Sequence, residues 1–74
     1  MPKLYSSRRI IEVLQKKGFL FISQKGSHKK FRKQGLQTLT VIVPANKKEI
    51  PMGTFKSILR QSGLNEKIFK EKNL

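Results

Sequence analysis

The chain has 74 residues, 36% of them hydrophobic, and its 17 lysines and arginines against 4 acids give a formal net charge of +13. This length is enough for one small domain, residues 1–74, with a thin core and no deeply buried active site. The charge favours a polyanionic partner, first of all nucleic acid, and an apolar run no longer than Phe19 to Ile22 excludes a membrane span.

The sequence predicts one helix, three strands, a second helix and a short third helix. In chain order they are a helix over Ser7–Lys17, strands over Phe19–Gln24, Ser27–Lys33 and Gln37–Val43, a helix ending at about Gln61, and a short helix after Asn65. A serine cap at Ser6 or Ser7 and apolar residues three and four apart indicate the first helix, which ends at Gly18. The strands are rich in aromatic and β-branched residues, and glycine-containing turns separate them.

The second helix has an ambiguous start. Pro51 suits the first turn, but Gly53-Thr54 serves equally well, and Phe55 then opens an apolar stripe at helical spacing. Residues 70–74 are expected to fray. Short connections imply an antiparallel meander, and each helix has one apolar side to bury. We therefore predict an α+β fold with both helices on one face of a three-stranded antiparallel sheet.

The single histidine, His28, lies in a segment from Val13 to Lys48 that contains no acid. Histidine can take or give a proton near neutral pH, and a histidine set among fixed positive charges faces a polyanion. If Phe31 points into the core, strand alternation places His28, Lys30 and Arg32 on the opposite face, provided that no bulge intervenes. The simplest alternative is a solvated surface histidine without a function.

The residues around this histidine predict a surface that binds RNA. The candidates are Lys25, Gly26, Ser27, Lys29, Lys30, Arg32, Lys47, Lys48 and Thr54. Lys25 and Lys29 flank His28 in sequence, so they are the first candidates to stabilise negative charge on a phosphate. Gly26 either lets the RNA backbone approach or adopts a positive φ. Thr54 lies near the start of the second helix, whose unpaired amides suit an anion. Each single lysine can equally belong to a general phosphate-binding face.

The first helix adds further basic residues, which are Arg8, Arg9, Lys16 and Lys17. They can meet the backbone of an RNA duplex, solvent or an acidic partner. With one histidine, no cysteine and scattered acids, the chain cannot build a zinc site, and we expect no metal and no small-molecule cofactor. The lack of cysteine and of an apolar N-terminal segment predicts a cytoplasmic protein.

Three groups of short motifs carry a family resemblance. They are Gly26-Ser27-His28 with Phe31, then Val43-Pro44, and finally Glu49-Ile50, Gly53-Thr54-Phe55, Ile58-Leu59 and Gly63-Leu64. With these motifs the chain resembles, from Ser7 to Leu64, the HicA family of toxins, small mRNA interferases of bacterial and archaeal toxin–antitoxin pairs with a double-stranded-RNA-binding-like fold.

The resemblance implies a metal-free endoribonuclease that acts on mRNA, with His28 as general acid/base, and that a HicB-type antitoxin inhibits. One position departs from the family pattern. Many relatives carry a second histidine two residues after the equivalent of Pro44, and this chain has Asn46 there. A pair of histidines is therefore excluded, and His28 has to act alone or with a lysine, a hydroxyl or water.

Two other functions stay open at this point. A non-catalytic RNA-binding module of the same fold explains the charge equally well, although binding alone has no need for a group that exchanges protons near neutral pH. A basic protein whose charge serves only an acidic protein partner is the other, and it would not bind RNA.

Overall fold

The computed structural model describes residues 4–70, and its elements follow the predicted order. They are α1 (Ser7–Lys16), β1 (Leu20–Lys25), β2 (His28–Lys33), β3 (Leu39–Pro44), α2 (Met52–Ser62) and α3 (Glu66–Lys70). The strands form one antiparallel sheet in the order β1-β2-β3. The predicted α+β fold is confirmed, and the element boundaries differ from the expected ones by no more than two residues.

For each of the first two helices, the sequence leaves two possible starting points, and the structure shows which one is used. Ser6 caps α1, because its Oγ accepts a hydrogen bond from the backbone N–H of Arg9 at 3.0 Å. Gly18 follows α1 with a φ of 95°, where a residue with a Cβ would be strained. α2 begins at Met52 with Pro51 before it, which resolves its ambiguous start.

The short helix α3 completes the core. Asn65 caps it, since its Oδ1 accepts a hydrogen bond from the backbone N–H of Ile68 at 3.3 Å. The ring of Phe69 is buried. Lys70 ends α3, which corrects the expectation that fraying begins there, and the rest of that expectation, residues 71–74, lies outside the described residues.

Both longer helices pack on one face of the sheet and bury a core with three aromatic rings at its centre. The core side chains are those of Tyr5, Ile10, Val13, Leu14, Phe19, Phe31, Val41, Val43, Ile50, Phe55, Ile58 and Phe69. The ring centroid of Phe55 lies 5.1 Å from that of Tyr5 and 5.2 Å from that of Phe69. These rings come from three segments, so their contacts join the N-terminal segment, α2 and α3.

The two edges of the sheet differ in how they are covered. At β3, the side chain of Gln61 on α2 accepts a hydrogen bond from the backbone N–H of Ile42 at 3.1 Å. At β1, which pairs only with β2 among the described residues, Leu20, Phe21 and Ile22 are 69%, 51% and 44% exposed. Apolar edge strands of this kind tend to pair with other chains, and most proteins protect them.

A buried serine fastens the loop after β3 to the start of α1. Ser7 is 3% exposed, and its Oγ donates a hydrogen bond to the carbonyl of Pro44 and accepts one from the backbone N–H of Lys47 at 3.0 Å. Its own backbone N–H donates to the carbonyl of Lys47 at 2.9 Å. These hydrogen bonds hold the first part of the loop against α1, and Asn46 in this part lies in the left-handed region at a φ of 59°.

Replacing Ser7 with alanine should destabilise the fold by about 1–3 kcal/mol, because the Pro44 carbonyl and the Lys47 N–H would each lose a buried partner. Urea unfolding followed by circular dichroism measures this loss. Ser57→Ala is the control, since the Ser57 hydroxyl accepts an exposed hydrogen bond from Arg60 and its loss should cost no more than about 0.5 kcal/mol. Equal losses in the two variants would contradict a special role for the Ser7 hydroxyl.

Candidate nucleic-acid interface

The strand β2 separates its side chains between the two faces of the sheet. Phe31 is buried on the side of the helices and pairs with Val41 of β3. No shift interrupts the register between β2 and β3. Strand alternation therefore places His28, Lys30 and Arg32 on the other face, which no helix covers in the described chain and which we call the open face.

A β-bulge in β1 decides which side chains join the histidine. The register with β2 shifts between Phe21 and Ser23, which leaves Ile22 as an extra residue. Because an extra residue reverses the alternation beyond it, Lys25 lies on the open face rather than on the helix side. There it pairs directly with His28 of the neighbouring strand.

The histidine end of the open face contains a shallow depression of about 460 Å³. Its lining residues are Ser23, Lys25, His28, Lys30 and Ile42. Two cations and a hydroxyl surround the exposed imidazole, and Ile42 supplies an apolar wall. A phosphate placed here would meet two positive charges and an imidazole, a side chain that can accept or donate a proton.

The turn between β1 and β2 presents the histidine. Gly26 has a φ of 58°, so the predicted positive φ is confirmed, while its approach to RNA stays a prediction. The side chain of Gln24 donates a hydrogen bond to the Gly26 carbonyl at 3.0 Å. The Ser27 carbonyl accepts one from the backbone N–H of Ala45 at 2.6 Å, which ties the turn to the loop after β3.

The other predicted binding residues lie in three separate places. Arg32 is on the open face, further along β2, and its Nε donates a hydrogen bond to a threonine of β3 at 3.3 Å. Lys29, which was expected beside the phosphate at His28, instead lines a groove beside α1 together with Lys47, on the helix side of the sheet, and Lys30 takes its place at the depression. Lys48 is exposed in the loop before α2, Thr54 lies in the first turn of α2, and neither lines the depression.

Two residues of the depression escape sequence reasoning. Alternation with Val41 and Val43 does place Ile42 on the open face, but an isoleucine carries no chemical signal. Regular alternation puts Ser23 on the helix side with Phe21, and only the bulge moves it to the open face. The residue types of β1 do not predict that bulge.

Most of the chain matches a single family. The model of the family described as the HicA toxin of bacterial toxin–antitoxin matches residues 7–64 of the 74. The chain belongs to the HicA toxin family. This membership places the protein among the toxins of toxin–antitoxin systems and implies a cognate antitoxin as its partner. A search of curated proteins found no match.

In this HicA toxin the matched segment contains the whole sheet, α1 and α2, and it ends before α3. The depression around His28 therefore lies within the family domain, whereas the core residue Phe69 lies beyond the match. Asn46 also falls inside it, with a backbone in the left-handed region. Asparagine is enriched in that region, so the residue type agrees with the backbone conformation here.

Two further findings concern the described part of this toxin. Within residues 4–70, no helix has the length and apolar character needed to cross a membrane. In the same range, no group of three or more histidine, cysteine, aspartate or glutamate side chains lies close enough together to hold a metal ion.

Proposed function

We propose that this toxin is a cytoplasmic endoribonuclease that cleaves mRNA without a metal ion, using His28 as its general acid/base. The observation that carries the proposal is the placement of His28. The imidazole is exposed on the open face, with Lys25 directly across the strand pair and Lys30 two residues along its own strand. A proton-exchanging group between two fixed cations suits chemistry at a phosphodiester.

The nucleophile in this mechanism is the 2′-hydroxyl of the RNA itself. His28 takes the proton of that hydroxyl, and the oxygen attacks the adjacent phosphorus. The new O2′–P bond forms as the P–O5′ bond breaks, and the departing 5′ oxygen takes a proton from water, which reaches this exposed face freely. The hydroxide that remains then removes the proton from His28 and restores the neutral imidazole. The products are a 2′,3′-cyclic phosphate and a 5′-hydroxyl. General-base catalysis of this kind contributes about 10²–10⁴-fold to the rate.

The cations of the depression act on the phosphate rather than on the sugar. Lys25 and Lys30 would stabilise the negative charge that grows on the phosphoryl oxygens during the attack. The remaining predicted residues would hold the RNA backbone, and these are Gly26, Ser27, Lys29, Arg32, Lys47, Lys48 and Thr54. Backbone contacts of this kind set the position of a strand without reading its sequence.

We also propose that the cognate antitoxin is a HicB-type protein that covers the open face. An antitoxin partner follows from family membership. A formal net charge of +13 favours a partner with an acidic surface. An antitoxin that covers His28 would prevent RNA from reaching the open face and would also neutralise part of the positive charge there.

The mechanism predicts which nucleic acids the protein cleaves. RNA should be cut in the presence of EDTA, and DNA should stay intact because it lacks the 2′-hydroxyl. The sharper measurement uses one RNA oligonucleotide whose cleavage site has been mapped, compared with the same oligonucleotide carrying a single 2′-deoxy residue at that site. The substituted position should resist cleavage while neighbouring sites remain unaffected. Cleavage at the 2′-deoxy position, or its loss in EDTA, would contradict the mechanism.

A second candidate function is a non-catalytic RNA-binding module of the same fold. The specific observation in its favour is Asn46, which stands where many relatives carry a second histidine. This alternative predicts salt-sensitive RNA binding with no strand scission. The experiment with EDTA and the 2′-deoxy substrate distinguishes the two functions, since only a nuclease produces fragments.

A further inference from the structure

A second basic depression lies beside α1, on the helix side of the sheet. This α1 groove has a volume of about 440 Å³, and Arg8, Gln15, Lys29, Asn46 and Lys47 are among its lining residues. Three of these side chains are cations, and the other two are amides that both donate and accept hydrogen bonds. We propose that the α1 groove binds RNA phosphates that flank the cleaved one, so that the strand runs around the end of the sheet.

Two connections place the α1 groove next to the His28 depression. His28 and Lys29 are consecutive residues of β2, and strand alternation sends one side chain to each face of the sheet. Pro44 pairs with His28, and the chain then continues through Asn46 to Lys47 on the groove side. The two sites therefore share one end of the sheet, and a single polynucleotide can reach both.

The α1 groove is positive although one acid lines it. The carboxylate of Glu12 lies in the groove, but it is also 4.0 Å from the guanidinium of Arg9, which partly offsets its charge. Arg8 and Lys47 are exposed, so they can meet a ligand without leaving packed positions. Cations on a shallow, open surface match the repeated charge of a phosphodiester chain.

Asn46 gives the groove a polar side chain on a loop whose backbone is held by hydrogen bonds. Ser7 holds the residues on both sides of it, through the Pro44 carbonyl and through two hydrogen bonds with Lys47. The loop is therefore ordered before RNA arrives, and an ordered loop loses less entropy on binding. The side-chain amide of Asn46, which this loop carries, can bond a phosphate oxygen or a ribose hydroxyl.

The test measures binding of RNA that cannot be cut, so its result does not depend on whether His28 is catalytic. The inference rests on the proposed function only because it takes RNA as the ligand. The probe is a 2′-O-methyl oligonucleotide of about twelve nucleotides, measured by fluorescence anisotropy. A plot of log affinity against log salt has a negative slope, and its magnitude should be about 1.4 smaller for Arg8→Gln/Lys47→Gln than for the parent protein. Each lost phosphate contact accounts for about 0.7 of this difference. At about 0.15 M salt this corresponds to a roughly ten-fold loss of affinity.

The matched control is Lys56→Gln/Lys67→Gln, which removes the same amount of charge from exposed positions of α2 and α3 outside both depressions. This control should bind the probe almost as well as the parent protein. Asn46→Asp keeps the size of the side chain and tolerates the left-handed backbone, but it adds a negative charge to the groove and should also weaken binding. Circular dichroism checks that each variant is folded.

Two results would overturn the proposal. Equal losses in the two double variants would mean that RNA responds only to total charge and not to the α1 groove. Unchanged affinity in Arg8→Gln/Lys47→Gln would mean that these cations serve another partner, such as an acidic protein. Neither result depends on whether the protein cuts RNA, so the groove and the catalytic mechanism can fail separately.

Discussion

His28→Ala should lower the rate of RNA cleavage by about 10²–10⁴-fold while leaving RNA affinity nearly unchanged. The reason is the position of the side chain. His28 is exposed on the open face, so its removal disturbs no core contact. The lysines that attract the phosphate backbone remain in place, and only the proton acceptor is lost. Single-turnover cleavage with saturating protein separates this chemical step from binding.

Lys56→Ala provides the matched comparison for this variant. Lys56 is exposed on α2 and lines neither depression, so its removal should leave both binding and the single-turnover rate nearly unchanged. In cells, expression of the His28→Ala protein should no longer arrest growth, whereas the Lys56→Ala protein should remain toxic. A His28→Ala protein that still arrests growth and cuts RNA at the parental rate would refute the assignment of His28 as general base.

Phe55→Ala should destabilise the fold by about 3–5 kcal/mol, a large part of the roughly 5–15 kcal/mol that stabilises a typical protein. The Phe55 ring is buried in contact with the rings of Tyr5 and Phe69, so its truncation to a methyl group leaves a cavity in the core. The midpoint of thermal unfolding should fall by at least about 10 °C. Circular dichroism and urea titration measure both quantities.

Phe21→Ala is the same chemical change at an exposed site. The Phe21 ring touches Phe31 edge-on at 5.8 Å between centroids, yet half of its surface is open to solvent. Its loss should cost about 1 kcal/mol, the value of a single aromatic contact. If Phe21→Ala were as damaging as Phe55→Ala, the stability of the fold would depend on the β1 edge rather than on the ring cluster between the helices.

The order of elements follows from patterns that are local in sequence. Helical spacing from Ile10 to Leu14, the alternation of Val41 and Val43, and the glycine-containing turns each depend on a few neighbouring residues. The same holds for the open face of β2, because a buried Phe31 is sufficient to place His28 on the other side. These features are predictable because no distant part of the chain is needed to decide them.

The composition of the site depends on contacts that no local pattern reveals. The bulge at Ile22 brings Ser23 and Lys25 to the open face, and it is visible only in the pairing of β1 with β2. The hydrogen bonds of Ser7 join residues that are 37 and 40 positions apart. The α1 groove assembles from a helix, a strand and a loop, so its residues come together only in the folded protein.

In concentrated solution, the uncovered edge of β1 makes the protein depend on its own charge to stay dispersed. Two molecules that each carry a formal charge of +13 repel one another over a Debye length of about 10 Å in about 0.1 M salt. At about 1 M salt this length shrinks to about 3 Å, and the aliphatic and aromatic side chains of one edge can then meet those of another molecule. Ionic strength therefore determines whether the free toxin stays dispersed. High-salt buffers that remove bound nucleic acid also screen the repulsion that keeps the β1 edges of two molecules from pairing.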